Sequence, residues 1–97
     1  MKLLWSAQSL RELEAIIEYI ATDNPAAALE LGEQVLSSVE ALLPDNPYAG
    51  RPGRVEGTRE LVVHHSYIVA YQVTEVINIL TVRHAARWSA SISTRSV

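Results

Sequence analysis

The chain has 97 residues, of which 48% are apolar, and a formal net charge of −3 at pH 7. This size and composition predict one folded domain over residues 1–97 and leave no room for a separate cofactor domain, so no cofactor is expected. Because the sequence contains no cysteine, disulfides, a thiol nucleophile and a cysteine-ligated zinc site are excluded.

The net charge hides an asymmetry between the two halves of the chain. Residues 1–50 carry two basic and eight acidic side chains, a net charge of −6, whereas residues 51–97 carry six arginines and three glutamates, a net charge of +3. The two halves are therefore expected to present different surfaces. The N-terminal stretch lacks the apolar run of a signal peptide, and no run approaches the roughly 18 residues of a membrane span, so we predict a cytoplasmic protein.

Two stripes of apolar residues at helical spacing predict a helical hairpin. The first, over roughly residues 7–22, consists of Ala7, Leu10, Leu13, Ile17 and Ile20. A second helix follows at once, because Asp23 or Asn24 can cap it and Pro25 suits its first turn. Its stripe consists of Ala28, Leu31, Val35, Val39 and Leu42. Two helices joined by so short a turn form an αα-hairpin, which is expected to end before Pro44.

The apolar period falls to two after the Pro/Gly-rich segment 44–57. Three β-rich runs read RELVVHH, YIVAYQV and VINILTV, and they predict a meander of antiparallel strands. A short additional strand is predicted for KLLW, with Trp5 in the core and Trp88 half exposed. The predicted order is β-α-α-β-β-β, in which the αα-hairpin covers one face of the sheet to give a two-layer α+β domain.

The arginines of the central segment each have a structural interpretation. Arg59 can pair with a helix carboxylate such as Glu18 or Glu33 and so hold the hairpin to the sheet. Arg51 and Arg54 are placed in a glycine-rich loop, where a solvated role is common. A contact with a partner is the alternative for all three arginines.

The three histidines do not predict a metal site. His64 and His65 are neighbours, and on a strand their side chains point to opposite faces. His84 lies too far along the chain to give a recognisable ligand spacing.

Five segments, in order along nearly the whole chain, carry a family resemblance. They are L..I..YIA after an early aromatic residue, the helix start NPAAA, the segment P..GRPGRVEGTREL, the strand YIVAYQV and the closing ILTVRHAARW. The most specific part is the run GR.GRV.GTREL followed by Y.V.Y.V. On these motifs the chain resembles the RelE/ParE superfamily of toxins from type II toxin–antitoxin pairs and is most similar to the ParE branch.

The resemblance implies the fold that the periodicity predicts, a two-helix hairpin on a small antiparallel sheet. It also implies a hetero-oligomer with an antitoxin, whose C-terminal part wraps the toxin and blocks it. The implied target is DNA gyrase for ParE-type toxins and messenger RNA in the ribosome for RelE-type relatives. A ParE-like toxin acts by binding, so no catalytic residue, no sequence-specific contact with nucleic acid and no membrane contact are expected.

Cleavage of messenger RNA is the first alternative function. Attack by a ribose 2′-hydroxyl needs a general base, a general acid and a stabilising cation, and Arg59, Arg83 and His84 are the side chains available for those roles. RelE-type cleavers resemble one another in being strongly basic, whereas this chain has one lysine, Lys2, and a net negative charge. An inactive toxin fold that serves as an interaction partner is the second alternative, and the acidic N-terminal half motivates it.

The predicted site is a basic edge beside the sheet that attracts an acidic antitoxin segment and faces the gyrase complex. Tyr67 and Tyr71 share one face of a strand and are expected to pack against the helical hairpin or an antitoxin helix. The predicted partner-binding residues are Arg51, Arg54, Arg59, Tyr67, Tyr71, Arg83, Arg87 and Trp88. Residues 89–97 are predicted to form a flexible tail.

Overall fold

The computed structural model describes residues 1–64 and 67–86, and in these ranges it confirms the predicted α+β class. Its elements are β1 (Leu3–Trp5), α1 (Ala7–Asp23), α2 (Pro25–Val35), a π-helical segment (Leu36–Leu42), β2 (Arg51–Pro52), β3 (Arg59–His64), β4 (Tyr67–Val73) and β5 (Ile77–His84). The sequence-based order omits β2, a strand of 2 residues within the segment predicted as loop. No helix in the described part of the chain is long and apolar enough to cross a membrane.

Both helices begin at side-chain caps. Ser6 Oγ accepts a hydrogen bond from the Ser9 N–H at 3.0 Å, and Asn24 Oδ1 accepts one from the Ala27 N–H at 3.1 Å. Of the two caps predicted for α2, Asn24 is therefore the one used, with Pro25 in the first turn. The caps fix where each helix starts and hence which apolar side chains face the sheet.

The second helix does not keep its α-helical period to its end. After Val35 the chain continues as the π-helical segment, whose turns take more residues than α-helical turns. Val35, Val39 and Leu43 are fully buried, whereas Leu42 is 38% exposed. The predicted stripe is confirmed up to Val39 and wrong at Leu42, because the wider turn brings Leu43 round to the core instead.

Among the described residues, five strands form one sheet in the order β1-β5-β4-β3-β2. The strands β3, β4 and β5 form the predicted antiparallel meander, while β2 adds antiparallel to β3 and β1 adds parallel to β5. On β4, Tyr67, Val69 and Tyr71 face the core beneath the helices, and Ile68 and Ala70 alternate to the opposite side. We call these two surfaces the helix face and the outer face of the sheet.

Trp5 lies at the rim of the core. Its ring is half-buried against the core cluster, and its Nε1–H donates to Glu40 Oε1 at 3.0 Å. The prediction that Trp5 belongs to the core therefore needs correction, because the indole keeps its polar N–H on a surface carboxylate while its ring packs inward.

Candidate functional site

Arg59, at the start of β3, fixes the chain segment that precedes β2. Its Nε and Nη2 donate to the Gly50 carbonyl at 3.0 and 2.6 Å, and Nη2 also donates to the Tyr48 carbonyl at 3.2 Å. The guanidinium carbon lies 5.3 Å from the centre of the Tyr48 ring. The predicted pairing with Glu18 or Glu33 is wrong, because the side chain turns toward the adjacent loop and bonds two backbone carbonyls there.

Tyr71, on β4, joins the same loop to the sheet through its hydroxyl group. Its side chain is 0% exposed, and its hydroxyl donates to the Pro47 carbonyl at 2.8 Å and accepts from the Gly50 N–H at 2.9 Å. The prediction that Tyr67 and Tyr71 share a face and pack under the helices is confirmed. The prediction that Tyr71 contacts a partner is wrong, because its side chain is buried within the fold.

Glu60 is a buried carboxylate that organises the turn between β2 and β3. The residue is 2% exposed, its Oε1 lies 3.4 Å from Arg51 Nη2, and its Oε2 accepts from the Arg54 N–H at 3.0 Å. The prediction that Arg51 lies in a loop is wrong. Arg51 lies on the edge strand β2, where it pairs directly with Glu60 of β3. The side chains of Arg51 and Arg54 are therefore exposed on a segment whose backbone is held in place by Glu60.

Arg83, near the end of β5, belongs to a second polar cluster beside α1. Its Nε lies 3.7 Å from Glu12 Oε2 and donates to Thr81 Oγ1 at 3.0 Å. Glu12 Oε1 accepts from the Thr81 hydroxyl at 2.6 Å and from the Val82 N–H at 3.1 Å. Glu12 thus joins α1 to β5, and it also holds the guanidinium of Arg83 at the surface.

Three rings meet where β3, β4 and β5 approach one another. The Tyr67 ring lies 5.2 Å from the His84 ring in an edge-to-face arrangement and 6.3 Å from the His64 ring. His84 Nδ1 accepts a hydrogen bond from the Ala86 N–H at 3.2 Å. Tyr67 is half-buried and His84 is exposed, so this cluster offers an accessible aromatic surface.

The described arginines of the predicted basic edge do not lie on one continuous surface. Arg59 pairs with Tyr71, and Tyr71 pairs with Ile79 on β5, so Arg83 lies four residues further along that strand. At roughly 3.3 Å per residue, this places the two arginines about 13 Å apart along the strand direction, with a strand between them. Arg83 also pairs with Ile68 on the outer face, whereas Arg59 pairs on the helix face. Of the arginines that the structure describes on this predicted edge, Arg83 therefore lies apart from Arg51, Arg54 and Arg59.

Some predicted residues lie outside the described part of the chain: His65, Arg87, Trp88 and the tail 89–97. Their roles stay predictions. Sequence reasoning also missed Glu60 and Glu12, although the alternation of RELVVH places Glu60 opposite the core-facing residues. Their importance depends on contacts between elements that are distant in the chain.

Comparisons with known proteins agree with this fold. Residues 3–88 match the family model described as ParE toxin of type II toxin-antitoxin system, parDE. Protein Y4kP of Sinorhizobium fredii, which bears a toxin name, is 40% identical over 85 residues, covering 87% of this chain and 88% of Y4kP. Toxin RelE2 of Caulobacter vibrioides is 32% identical over 87 residues, covering 89% of this chain and 97% of RelE2.

A solved structure shares the architecture as well as part of the sequence. A chain of the chromosomal ParDE system from P. aeruginosa matches with a TM-score of 0.76 and 27% identity, covering 87% of this chain and 95% of that one. Because the family model extends from β1 beyond β5, the chain belongs to the ParE family of toxins from type II toxin–antitoxin systems.

Proposed function

We propose that this ParE-family toxin inhibits DNA gyrase by binding it, and that a ParD-type antitoxin neutralises the toxin by covering its surface. The family match over residues 3–88 carries the proposal. The likeness to a chain of a ParDE system supports the antitoxin partner. In this function the toxin traps gyrase with broken DNA and performs no bond-breaking step of its own.

The arrangement of the candidate catalytic side chains favours binding over chemistry. Cleavage of RNA needs a base, an acid and a cation within hydrogen-bond reach of one phosphate. Arg59 bonds the Gly50 carbonyl, and Arg83 lies beside Glu12 on the other side of β4. The separation of about 13 Å between these arginines along the strands counts against a single catalytic site shared with His84.

A DNA cleavage assay tests the gyrase proposal. Purified gyrase, supercoiled plasmid and ATP are incubated with the toxin, with the toxin premixed with antitoxin, and without toxin, and linear DNA is measured after denaturation. Accumulation with free toxin and its loss with antitoxin are expected. If a toxin concentration that stops cell growth yields no linear DNA, gyrase poisoning is wrong.

Cleavage of ribosome-bound messenger RNA is the second candidate, and the 32% identity to Toxin RelE2 favours it. Purified toxin, ribosomes and a message provide the test. Under this candidate, His84→Ala and Arg59→Ala each abolish cleavage in proteins whose circular dichroism matches the parent. A message that remains intact with the parent protein excludes it.

An inactive toxin fold would leave growth unaffected. Expression of the chain without antitoxin distinguishes this case, because a gyrase inhibitor and a messenger RNA cleaver would both arrest growth. Growth arrest that co-expressed antitoxin relieves excludes the inactive alternative.

A further inference from the structure

On one side of the sheet, β5 is covered by the edge strand β1 and by side chains of the segment that follows β1. The strand β1 covers Ile77–Ile79. Beyond it, Ser6 Oγ donates to the Leu80 carbonyl at 3.1 Å, and Glu12 Oε1 accepts from the Val82 N–H at 3.1 Å. Side chains at the start of α1 therefore occupy the backbone groups that an incoming strand would use.

The opposite edge, formed by β3, is covered only at its start. The strand β2 pairs Arg51 with Glu60 and Pro52 with Arg59, and it ends there. In the described part of the chain, no strand lies beside Leu61–Val63 on this edge. Within the described residues, this stretch of β3 therefore offers its outward backbone groups to another strand.

The fold itself prevents β2 from extending along β3. The Gly50 N–H donates to the Tyr71 hydroxyl at 2.9 Å, and the Gly50 carbonyl accepts from Arg59 Nη2 at 2.6 Å. A Cβ on Gly50 would lie 2.7 Å from the Glu60 carbonyl oxygen and 2.7 Å from the Tyr71 hydroxyl. Only glycine therefore fits at this position. The chain before β2 is thus held away from the rest of the β3 edge.

Val62 directs its backbone N–H and C=O away from the sheet. Pro52 has no N–H, so the pair Pro52–Arg59 cannot exchange two hydrogen bonds, and in an antiparallel ladder the two kinds of pair alternate. Arg51 and Glu60 therefore form the hydrogen-bonded pair, with the Glu60 backbone groups toward β2. Val62 is two residues further on, so its backbone groups point the same way, and its side chain is 52% exposed.

Charge beside this edge indicates the kind of partner. The Arg51 side chain is 54% exposed, although it contacts the Glu60 carboxylate, and Arg54 is exposed in the adjoining turn. A second copy of this chain on the same edge would add its own arginines to the contact, which like-charge repulsion disfavours. An extended acidic segment meets complementary charge.

We propose that an extended acidic segment of the antitoxin adds as a strand to the outer edge of β3. Its backbone bonds the N–H and C=O of Val62, and its carboxylates lie beside Arg51 and Arg54. This inference rests on the proposed function, because it takes the ParD-type antitoxin as the partner.

Amide hydrogen exchange of the toxin, alone and with the ParD-type antitoxin encoded beside it, tests the inference. The Val62 N–H is expected to exchange about tenfold more slowly or better in the complex, since strand pairing protects it. The Leu61 N–H, which points toward β4, is the internal control and should be protected in both states. A complex that leaves Val62 exchange unchanged overturns the added strand but not the antitoxin partner. Failure to form any complex overturns both.

Two substitutions at Val62 provide a matched pair. Val62→Pro removes the outward N–H and is tolerated at a strand edge, whereas Val62→Thr keeps the N–H and the branched Cβ. We expect Val62→Pro to raise the antitoxin Kd about tenfold or more and Val62→Thr to change it less than about threefold. Equal affinities for two folded variants contradict the inference. If Val62→Pro does not fold, the exchange experiment decides alone.

Discussion

The Tyr71 hydroxyl joins the loop before β2 to the centre of the sheet. It donates to the Pro47 carbonyl at 2.8 Å and accepts from the Gly50 N–H at 2.9 Å, in a side chain that is 0% exposed. The substitution Tyr71→Phe removes this one oxygen and keeps the ring, so it tests the two hydrogen bonds without creating a large cavity.

The expected loss follows from the burial of the two backbone groups. A hydrogen bond of this kind contributes about 1 kcal/mol, and a buried donor left without a partner costs about 1–3 kcal/mol. The Gly50 N–H is buried, whereas Pro47 is half-buried and its carbonyl can reach water more easily. We therefore expect Tyr71→Phe to lower the free energy of unfolding by about 2–3 kcal/mol, which corresponds to a fall in Tm of about 10–20 °C.

Urea unfolding followed by far-UV circular dichroism measures this loss. The matched control is Tyr48→Phe, the same chemical change on a ring that is 65% exposed, and it should alter the free energy of unfolding by less than about 0.5 kcal/mol. If both variants are equally stable, the hydroxyl of Tyr71 does not hold the loop and the reasoning is refuted.

Three further predictions use the same unfolding assay. Gly50→Ala is expected to cost about 1–3 kcal/mol or more, because its methyl group overlaps a backbone carbonyl of β3, while Gly32→Ala, which has ordinary contact distance at 3.7 Å, should stabilise α2 by about 0.5–1 kcal/mol. The two substitutions must change the free energy of unfolding in opposite directions, and a change in the same direction for both contradicts the prediction. Glu12→Ala should cost about 2 kcal/mol through lost bonds to β5, and Glu12→Gln less, since its amide oxygen still accepts; equal losses would contradict this. Leu43→Ala should cost about 2–5 kcal/mol, and Leu42→Ala distinctly less, whereas the reverse order would exclude the π-helical phase.

The elements with a strong local period could be predicted from the sequence. A helix predicted over roughly residues 7–22 is found at Ala7–Asp23, and the meander strands match the alternating runs. Asn24 before Pro25 also marks the second helix correctly, because a cap acts on the three residues that follow it. In each case the residues that specify the element belong to the element or directly precede it.

The parts that could not be predicted depend on contacts between distant segments. A strand as short as Arg51–Pro52 has no alternation to detect, and it exists only because β3 lies beside it. The burial of Tyr71 likewise requires the loop to fold over it. The π-helical turn changes which leucine is buried without changing the composition of the stripe.

The candidate site was predictable in its residue types and not in its assembly. The sequence identifies Arg51, Arg54 and Arg59 as a group, and the structure keeps them around one turn. Arg83 belongs to the predicted edge only through the positive net charge of residues 51–97. Strand register, which no local pattern reports, separates it from the others.

The position of β5 between β1 and β4 has a consequence for the order of folding. Among the described strands β5 is the last in chain order, yet β1, from the start of the chain, pairs with it across a separation of 74 residues. Helical segments form from local contacts, whereas such a distant pairing must first close a long loop. During synthesis the αα-hairpin can therefore appear while the sheet beneath it is still incomplete. The sheet is completed in a late step, and the rate of that step is governed by chain closure and not by helix formation.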